Sequence, residues 1–288
     1  MPDHPHVRIC EVGPRDGLQN EAQFVSTKDK VQLINLLSAT GLNYIEAASF
    51  VSPKWVPQMA DAIDVFARIT RERGVVYAAL TPNLKGCQDA LKAGADEVAI
   101  FASASETFSR KNINRSIAES LTLYEQVCKR AHVSGIPVRG YVSCAIACPY
   151  EGPVAPDAVR LVAASLLRLG CREISLGDTI GVATPGDVTA LLDVILAEIP
   201  AARVAGHFHD TSGRALECIE AALDRGLRIF DASVGGAGGC PFAPGAKGNV
   251  ATHEVVRLLD AKGFATGIDR QTLQDATNFM AQILGRQT

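Results

Sequence analysis

The stretch Arg203-Val204-Ala205-Gly206-His207-Phe208-His209-Asp210 begins as a short apolar run and ends in polar residues, a pattern that indicates a buried strand leading into a helix. Side chains alternate along a strand, so His207 and His209 point to the same side and Phe208 to the other. Two imidazoles about 7 Å apart along a strand can bind one divalent metal ion. The alternative is two unrelated histidines with satisfied hydrogen bonds, and this stretch alone leaves both open.

Seven further apolar or β-branched runs occur in the chain, and longer segments with apolar residues at helical spacing separate them. With the first stretch, the predicted strands are Val7–Val12, Tyr44–Ala48, Val75–Leu80, Glu97–Phe101, Val138–Ser143, Glu173–Leu176, Val204–His209 and Ile229–Val234. The segments between them include the predicted helices Ser26–Leu37, Pro156–Leu169 and Pro185–Ile199. Glycines that supply the left-handed conformation ending a helix precede several strands, at Gly41, Gly94, Gly170 and Gly226.

Eight such units in one undivided chain predict an α/β fold, a (β/α)8 TIM barrel with a short C-terminal helical extension. The 288 residues, 47% of them hydrophobic, are enough for one such barrel or for two smaller domains, but no linker divides the chain. An open doubly wound sheet is the alternative. It is disfavoured because no G-x-G-x-x-G follows the first strand.

Charge and hydropathy exclude several classes of partner. The net charge is −3, and Lys and Arg are scattered, so we expect no nucleic-acid partner. No apolar run approaches the roughly 20 residues that cross a bilayer, so we expect no membrane span. The first residues show no signal-peptide pattern, which predicts a cytoplasmic protein. The eight cysteines form no C-x-x-C pair, and we expect most of them to be reduced core residues.

Active sites of such barrels lie at the carboxyl ends of the strands. After the first strand, Arg15 can stabilise an oxyanion and Asp16 can ligate a metal, although Gly-Pro and Asp-Gly pairs also mark an ordinary turn. Glu46 lies within the second strand, where an unpaired carboxylate is costly to bury, so we expect an arginine or a metal-bound water beside it. Asp178 follows the sixth strand and either caps the next helix or belongs to the site.

A glycine-rich segment, Gly235–Pro241, follows the eighth strand and leads to Asn249. It predicts a lid, or a loop whose backbone approaches a ligand closely, and it lacks the spacing of a phosphate-binding P-loop. Cys240 lies within it and is the cysteine whose position suggests reactivity. Asn249 is either the N-cap of the next helix or a metal ligand through its amide oxygen.

Long segments of the chain resemble the 3-hydroxy-3-methylglutaryl-CoA (HMG-CoA) lyase family. They run in the same order from about Val7 to Gly285 and are Glu11–Asn20, Ser49–Gln58, Leu80–Gly86, Arg139–Cys144, Cys148–Gly152, Ser175–Gly181, His207–Asp210 and Gly238–Pro241. The resemblance implies a single pyruvate carboxyltransferase-like barrel over residues 1–288, with C-terminal helices from about 249 onward, and a homodimer. It also implies metal-dependent cleavage of an acyl-CoA substrate, HMG-CoA, to acetyl-CoA and acetoacetate, the chemistry of leucine degradation and ketone-body formation.

The resemblance also implies roles for individual residues. One Mg²⁺ or Mn²⁺ would be bound by Asp16, His207, His209 and Asn249. The catalytic residues would be Arg15, which meets the oxyanion, the active-site cysteine Cys240, the acidic residue Glu46, and His207, which with Cys240 is a candidate proton donor. Arg15 and Asp178 would contact the substrate.

One position departs from the family, and several alternatives stay open. His253 stands where the family commonly has Glu, and on a helix it would share a face with Asn249. The alternatives are a lyase for a longer-branched 3-hydroxyacyl-CoA, a condensing acyltransferase of the isopropylmalate synthase kind and a non-catalytic binding module. The second is disfavoured because no long regulatory region follows Gly285, and the third because a scaffold does not need the candidate site residues together.

Overall fold

The computed structural model describes residues 5–238 and 248–286, and its strands form a closed barrel of eight parallel strands. In chain order they are β1 (Arg8–Glu11), β2 (Tyr44–Ser49), β3 (Val76–Leu80), β4 (Glu97–Ser103), β5 (Val138–Ser143), β6 (Glu173–Asp178), β7 (Val204–Phe208) and β8 (Ile229–Ala232). Each strand pairs with its neighbours in sequence, and β1 closes the barrel by pairing with both β2 and β8. The predicted (β/α)8 barrel is confirmed, and every predicted strand end lies within two residues of the observed one.

Helices follow the strands and surround the barrel. They are α1 (Thr27–Ser38), α2 (Ala62–Arg68), α3 (Leu84–Ala93), α4 (Glu106–Ile113), α5 (Ile117–Val133), α6 (Pro156–Arg168), α7 (Pro185–Ile195), α8 (Ala215–Asp224), α9 (Thr252–Ala261) and α10 (Arg270–Ile283). The Ser26 hydroxyl caps α1 by accepting a hydrogen bond from the Asp29 N–H. The four glycines predicted to end helices all have positive φ, between 83° and 102°.

Helix α7 is shorter than predicted. It ends at Ile195, four residues before the predicted end at Ile199. Pro200 accounts for the loss of helix at Ile199 only, because a proline disfavours the helical conformation of the residue before it. The chain instead turns through residues 201–203 into β7, which keeps Ile199 buried against the barrel.

The main apolar core lies between the outside of the barrel and the helices. The seven cysteines among the described residues are free and buried there or near it, as expected for reduced cysteines. A small hairpin of Ala147–Cys148 and Gly152–Pro153 follows β5. Within the described ranges, no helix combines the length and the apolar character needed to cross a membrane.

Candidate active site

The loop after β1 is held at the carboxyl end of the barrel by a buried carboxylate. Residues Gly13–Gly17 form a single π-helical turn that carries Arg15 and Asp16. The Glu11 carboxylate accepts hydrogen bonds from the Gly13 N–H (2.7 Å), the Val234 N–H (2.9 Å) and the Thr252 hydroxyl (2.6 Å). Burial raises the pKa of Glu11 to about 7. Glu11 therefore joins the turn to the end of β8 and to the start of α9.

Three predicted metal ligands meet beside this turn. Asp16, His207 and His209 each offer a ligand atom, and these atoms all lie within 4.8 Å of one another. Asn249 joins them, since its amide nitrogen donates to Asp16 Oδ2 at 2.8 Å. Helix α9 begins at Thr252 after the cap residue Ala251, so Asn249 is not its N-cap and instead pairs by a backbone bridge with His209.

The start of the glycine-rich segment packs directly against this group. Gly238 has a φ of 101°, and a Cβ atom at this position would lie 2.9 Å from the Asn249 amide nitrogen and 3.2 Å from Gly17 Cα. Only glycine tolerates both the backbone conformation and the contact. The predicted close approach of this backbone is therefore seen at Gly238, whereas Cys240 and the rest of residues 239–247 lie outside the described residues.

The surroundings of the three ligands keep Asp16 ionised and His209 neutral, which are the states in which these side chains bind a cation. Burial raises the pKa of Asp16, but the charges of Arg15 and of the two imidazoles outweigh it and lower this pKa to about 2. Burial and the neighbouring His207 lower the pKa of His209 to about 4, which keeps its imidazole neutral. Burial also opposes protonation of His207, but its hydrogen bond with Asp231 and the charges of Asp231 and Asp16 raise its pKa.

The donor set fits a divalent cation. His209 Nδ1 is buried and has no hydrogen-bond partner among the described residues, and a bound cation would satisfy it. The ligand atoms near it are carboxylate, imidazole and amide groups. Oxygen and imidazole donors without thiolate suit Mg²⁺ or Mn²⁺.

Arg15 lies at the same carboxyl end of the barrel, where it contacts the predicted acidic residue Glu46. Its Nε atom donates to Glu46 Oε2 at 2.8 Å, and it also pairs with Asp16. The Tyr141 hydroxyl donates to the same Glu46 oxygen at 3.1 Å, and the Arg15 guanidinium lies 5.5 Å from the Tyr141 ring centre. The expectation that Glu46 meets an arginine is confirmed. These contacts orient the guanidinium, which stays charged even when buried.

Deeper inside the barrel lies a network of buried charges that was not predicted from the sequence. Arg139 on β5 donates to Asp231 on β8 through Nη2 (2.7 Å) and Nη1 (3.2 Å), and to Glu173 on β6 through Nε (2.8 Å). Its Nη1 atom also donates to the Tyr141 hydroxyl at 2.9 Å. Arg139 and Asp231 are charged residues within apolar runs, which is the signal that drew attention to Glu46. The same argument would have marked both as buried charges that need a partner, without showing which residue each of them contacts.

Two other predicted positions have different surroundings. The Asp178 carboxylate accepts hydrogen bonds from the backbone N–H groups of Val182 (3.3 Å) and Ala183 (2.9 Å). Asp178 therefore holds the turn before α7 and does not cap the helix, whose N-cap is Thr184. His253 lies on α9 with Nε2 3.4 Å from Glu254 Oε1. The expected shared helix face of His253 and Asn249 is wrong, because Asn249 precedes the helix and is fixed by its bridge to His209.

Several proteins similar to this chain carry the name HMG-CoA lyase. A family model described as HMGL-like matches residues 6–280. The cytoplasmic 3-hydroxy-3-methylglutaryl-CoA lyase of Danio rerio is 56% identical over 98% of this chain and 84% of its own. A 3-hydroxy-3-isohexenylglutaryl-CoA/hydroxy-methylglutaryl-CoA lyase of Pseudomonas aeruginosa is 53% identical over 97% of this chain and 93% of its own.

Solved structures agree with the sequence comparisons. The HMG-CoA lyase from Brucella melitensis superimposes with a TM-score of 0.97 at 56% identity, covering 98% of this chain and 99% of that one. An HMG-CoA lyase from Acinetobacter baumannii in complex with coenzyme A and 3-methylmalate gives a TM-score of 0.93 at 38% identity, covering 98% and 92%. The resemblance seen in the sequence is confirmed, and the chain belongs to the HMGL-like family, that of the HMG-CoA lyases.

Proposed function

We propose that this protein is a divalent-metal-dependent carbon–carbon lyase that cleaves HMG-CoA to acetyl-CoA and acetoacetate. The observation that carries the proposal is the meeting of Asp16, His207 and His209 beside Arg15 at the carboxyl end of the barrel. A cation site next to a fixed guanidinium suits a substrate with a hydroxyl, a carboxylate and a thioester carbonyl. The relatives named HMG-CoA lyase support the choice of substrate.

Four residues would hold one Mg²⁺ or Mn²⁺: Asp16, His207, His209 and, through its amide oxygen, Asn249. Among the described residues the side chain of Asn249 forms hydrogen bonds through its amide nitrogen, to Asp16 and to the Ala237 carbonyl, and we propose that its oxygen faces the cation. When bound, the metal would lower the pKa of the substrate's tertiary hydroxyl and fix its position. Transfer of the hydroxyl proton to a general base then drives cleavage of the carbon–carbon bond and release of acetoacetate, and the return of one proton to the enolate carbon balances the reaction.

Arg15 would stabilise the charge that develops during this cleavage. The electron pair of the broken bond moves to the thioester, which becomes the enolate of acetyl-CoA, and a charged hydrogen-bond donor lowers the energy of that oxyanion. Arg15 is suited to this role because Glu46 accepts its Nε hydrogen bond and Tyr141 orients Glu46. Glu46 therefore supports Arg15 rather than acting on the substrate in this proposal.

A proton must finally reach the enolate carbon to give acetyl-CoA. His207 and Cys240 are the candidates from the sequence. His207 Nδ1 is hydrogen-bonded to Asp231, and its Nε2 lies with the ligand atoms, 3.9 Å from Asp16 Oδ2. Both of its nitrogens are thus engaged, so we favour Cys240 as the proton donor.

A second substrate class is favoured by one observation. The name of the Pseudomonas aeruginosa relative includes both a methyl- and an isohexenyl-branched substrate, so we propose a longer-branched 3-hydroxyglutaryl-CoA as the second candidate substrate of this chain.

We also propose an acyl-CoA as the ligand, because a related structure contains coenzyme A. We propose a cytoplasmic location by analogy with the Danio rerio relative, whose name includes that location, whereas several other relatives are named mitochondrial. The homodimer stays a prediction from the resemblance.

The purified protein, incubated with HMG-CoA and Mg²⁺, tests the function directly. Acetoacetate and acetyl-CoA are expected in equal amounts, and EDTA should abolish both until Mg²⁺ is restored. Absence of product, with or without metal, would contradict the proposed reaction, whereas product that EDTA leaves unchanged would contradict only the metal dependence. A parallel assay with the isohexenyl-branched substrate, compared by kcat/KM, decides between the two substrate classes.

A further inference from the structure

Asp231 makes contacts that bear directly on one proposed metal ligand. Its side chain is fully buried on β8, opposite His207 in the register of β7 and β8. The Oδ2 atom is 3.1 Å from His207 Nδ1, and it also accepts hydrogen bonds from the Ser175 hydroxyl (2.8 Å) and Arg139 Nη1 (3.2 Å). Oδ1 accepts from Arg139 Nη2 at 2.7 Å. The contacts with Ser175 and Arg139 all use Asp231 as an acceptor.

This arrangement fixes where the proton of His207 resides. A carboxylate paired through both oxygens with a buried guanidinium is ionised and has no proton to give. The Nδ1 atom of His207 must therefore be the donor in its contact with Asp231. The neutral imidazole then has its lone pair on Nε2, and this atom is the one on the side of Asp16.

We propose that Asp231 is a positioning residue that holds His207 in the Nδ1-protonated tautomer with Nε2 directed at the metal. The inference rests on the metal site of the proposed function. A hydrogen bond from the free ring nitrogen to a carboxylate orients an imidazole ligand and makes it more basic. Ser175 and Arg139 fix Asp231 in turn, so the imidazole cannot turn without breaking a buried network.

Glu173 provides a matched control. It is also a buried carboxylate, and it accepts a hydrogen bond from the same guanidinium, through Arg139 Nε at 2.8 Å. Its other described partner is Arg8, and among the described residues it has no contact with His207. Asp231→Asn and Glu173→Gln therefore each replace one negatively charged partner of Arg139 with a neutral one. Only Asp231→Asn changes the partner of the metal-binding imidazole.

The test measures Mn²⁺ binding to the metal-free wild type and the two variants, by electron paramagnetic resonance of free Mn²⁺, together with their melting temperatures. Both variants should melt at a lower temperature, because each leaves the buried Arg139 with one anionic partner fewer. Asp231→Asn should weaken Mn²⁺ binding by about 10- to 100-fold. Glu173→Gln should change the dissociation constant by less than about threefold, an expectation from its lack of contact with the ligands.

Mn²⁺ affinity in Asp231→Asn equal to that of the wild type, or an equal loss in both variants, would overturn the positioning role and leave the proposed function intact. A wild type that binds no Mn²⁺ would overturn both. If Asp231→Asn fails to fold, the tautomer is measured in the wild type by ¹⁵N nuclear magnetic resonance of labelled histidines. His207 is expected with its proton on Nδ1, and a proton on Nε2 would overturn the inference.

Discussion

Two groups of buried polar residues lie next to each other in this barrel, and they differ in whether their atoms are satisfied. The closed network consists of Arg139, Glu173, Asp231 and Tyr141, and each of its charges has an oppositely charged partner within hydrogen-bond distance. The open donor set consists of Asp16, His207, His209 and Asn249, in which carboxylate and imidazole atoms face one another and His209 Nδ1 has no described partner. The closed network stabilises the barrel, and the open donor set is arranged to bind a cation.

The difference shows how a charged residue in a barrel interior can be assigned to scaffold or site. Buried charges are tolerated when an opposite charge and hydrogen bonds compensate them, as Asp231 does for Arg139. Carboxylate and imidazole electron pairs that converge on one point, with His209 Nδ1 lacking a described hydrogen-bond partner, can be compensated by a bound cation instead. His207 connects the two groups, because its Nδ1 atom faces Asp231 of the closed network and its Nε2 atom faces Asp16.

The largest expected effect comes from removing a member of the open donor set. Asp16→Ala deletes the one carboxylate of the metal site, and turnover of HMG-CoA should fall by about 10⁴-fold or more, on the order of 5 kcal/mol in the barrier. The melting temperature should change little, because the Asp16 side chain is partly exposed and Arg15 keeps Glu46 as its partner. Wild-type turnover in this variant would remove Asp16 from the metal site.

The closed network should respond in the opposite way. Arg139→Met leaves the buried carboxylates of Glu173 and Asp231 without their common partner, so the free energy of unfolding should fall by about 3–5 kcal/mol. Urea denaturation measures the loss. Arg225→Met is the control, because its ion pair with Asp193 is exposed and is expected to contribute less than about 1 kcal/mol. Equal losses in the two variants would contradict the distinction.

Arg15 tests the link between the two groups. Arg15→Met removes the proposed oxyanion donor, and kcat should fall by about 10²- to 10³-fold while Mn²⁺ still binds. Arg15→Lys should have a higher kcat than Arg15→Met but a lower one than the wild type. Lysine keeps the positive charge but cannot form the several hydrogen bonds that Arg15 donates to Glu46 and Asp16. Steady-state kinetics and Mn²⁺ titration measure both variants. An unchanged kcat in Arg15→Met would exclude the residue from the chemistry.

The fold and the residues of the open donor set could be predicted from the sequence. The fold followed from eight apolar runs separated by helical segments, because strand and helix periodicity are local properties. Asp16, His207, His209 and Asn249 each attract attention because they lie at or near strand ends, which a barrel brings together, but that all four bind one metal is what the resemblance to the HMG-CoA lyases implies. Structure confirms the fold and places these four residues in contact range.

The closed network was not predicted for a physical reason. Arg139 and Asp231 are 92 residues apart, on strands β5 and β8, which are not neighbours in the barrel. Their contact depends on closure of the barrel and on strand register, which no local pattern encodes. The fixed tautomer of His207 depends on the same long-range contact. A local pattern could therefore find the ligand but not the residue that orients it.

The smallest expected effect concerns the buried carboxylate below the Arg15–Asp16 turn. The folded-state pKa of Glu11 is raised by burial to about 7 from 4.5, so the folded protein binds more protons than the unfolded chain between these values. Stability should therefore fall as the pH rises from about 4.5 to 7, by at most about 3 kcal/mol. Unfolding free energies at pH 5 and pH 8 measure this fall, which should disappear in Glu11→Gln. An identical pH dependence in the variant would contradict the assignment to Glu11.

The most direct test of the open donor set is a crystal structure of the protein soaked in Mn²⁺, with anomalous diffraction to locate the ion. We expect one strong anomalous peak bonded to Asp16, His207 Nε2 and His209, with the Asn249 amide oxygen facing it, and none within the closed network. A site without a peak at saturating Mn²⁺, or an ion bonded elsewhere while these residues stay unligated, would contradict this expectation.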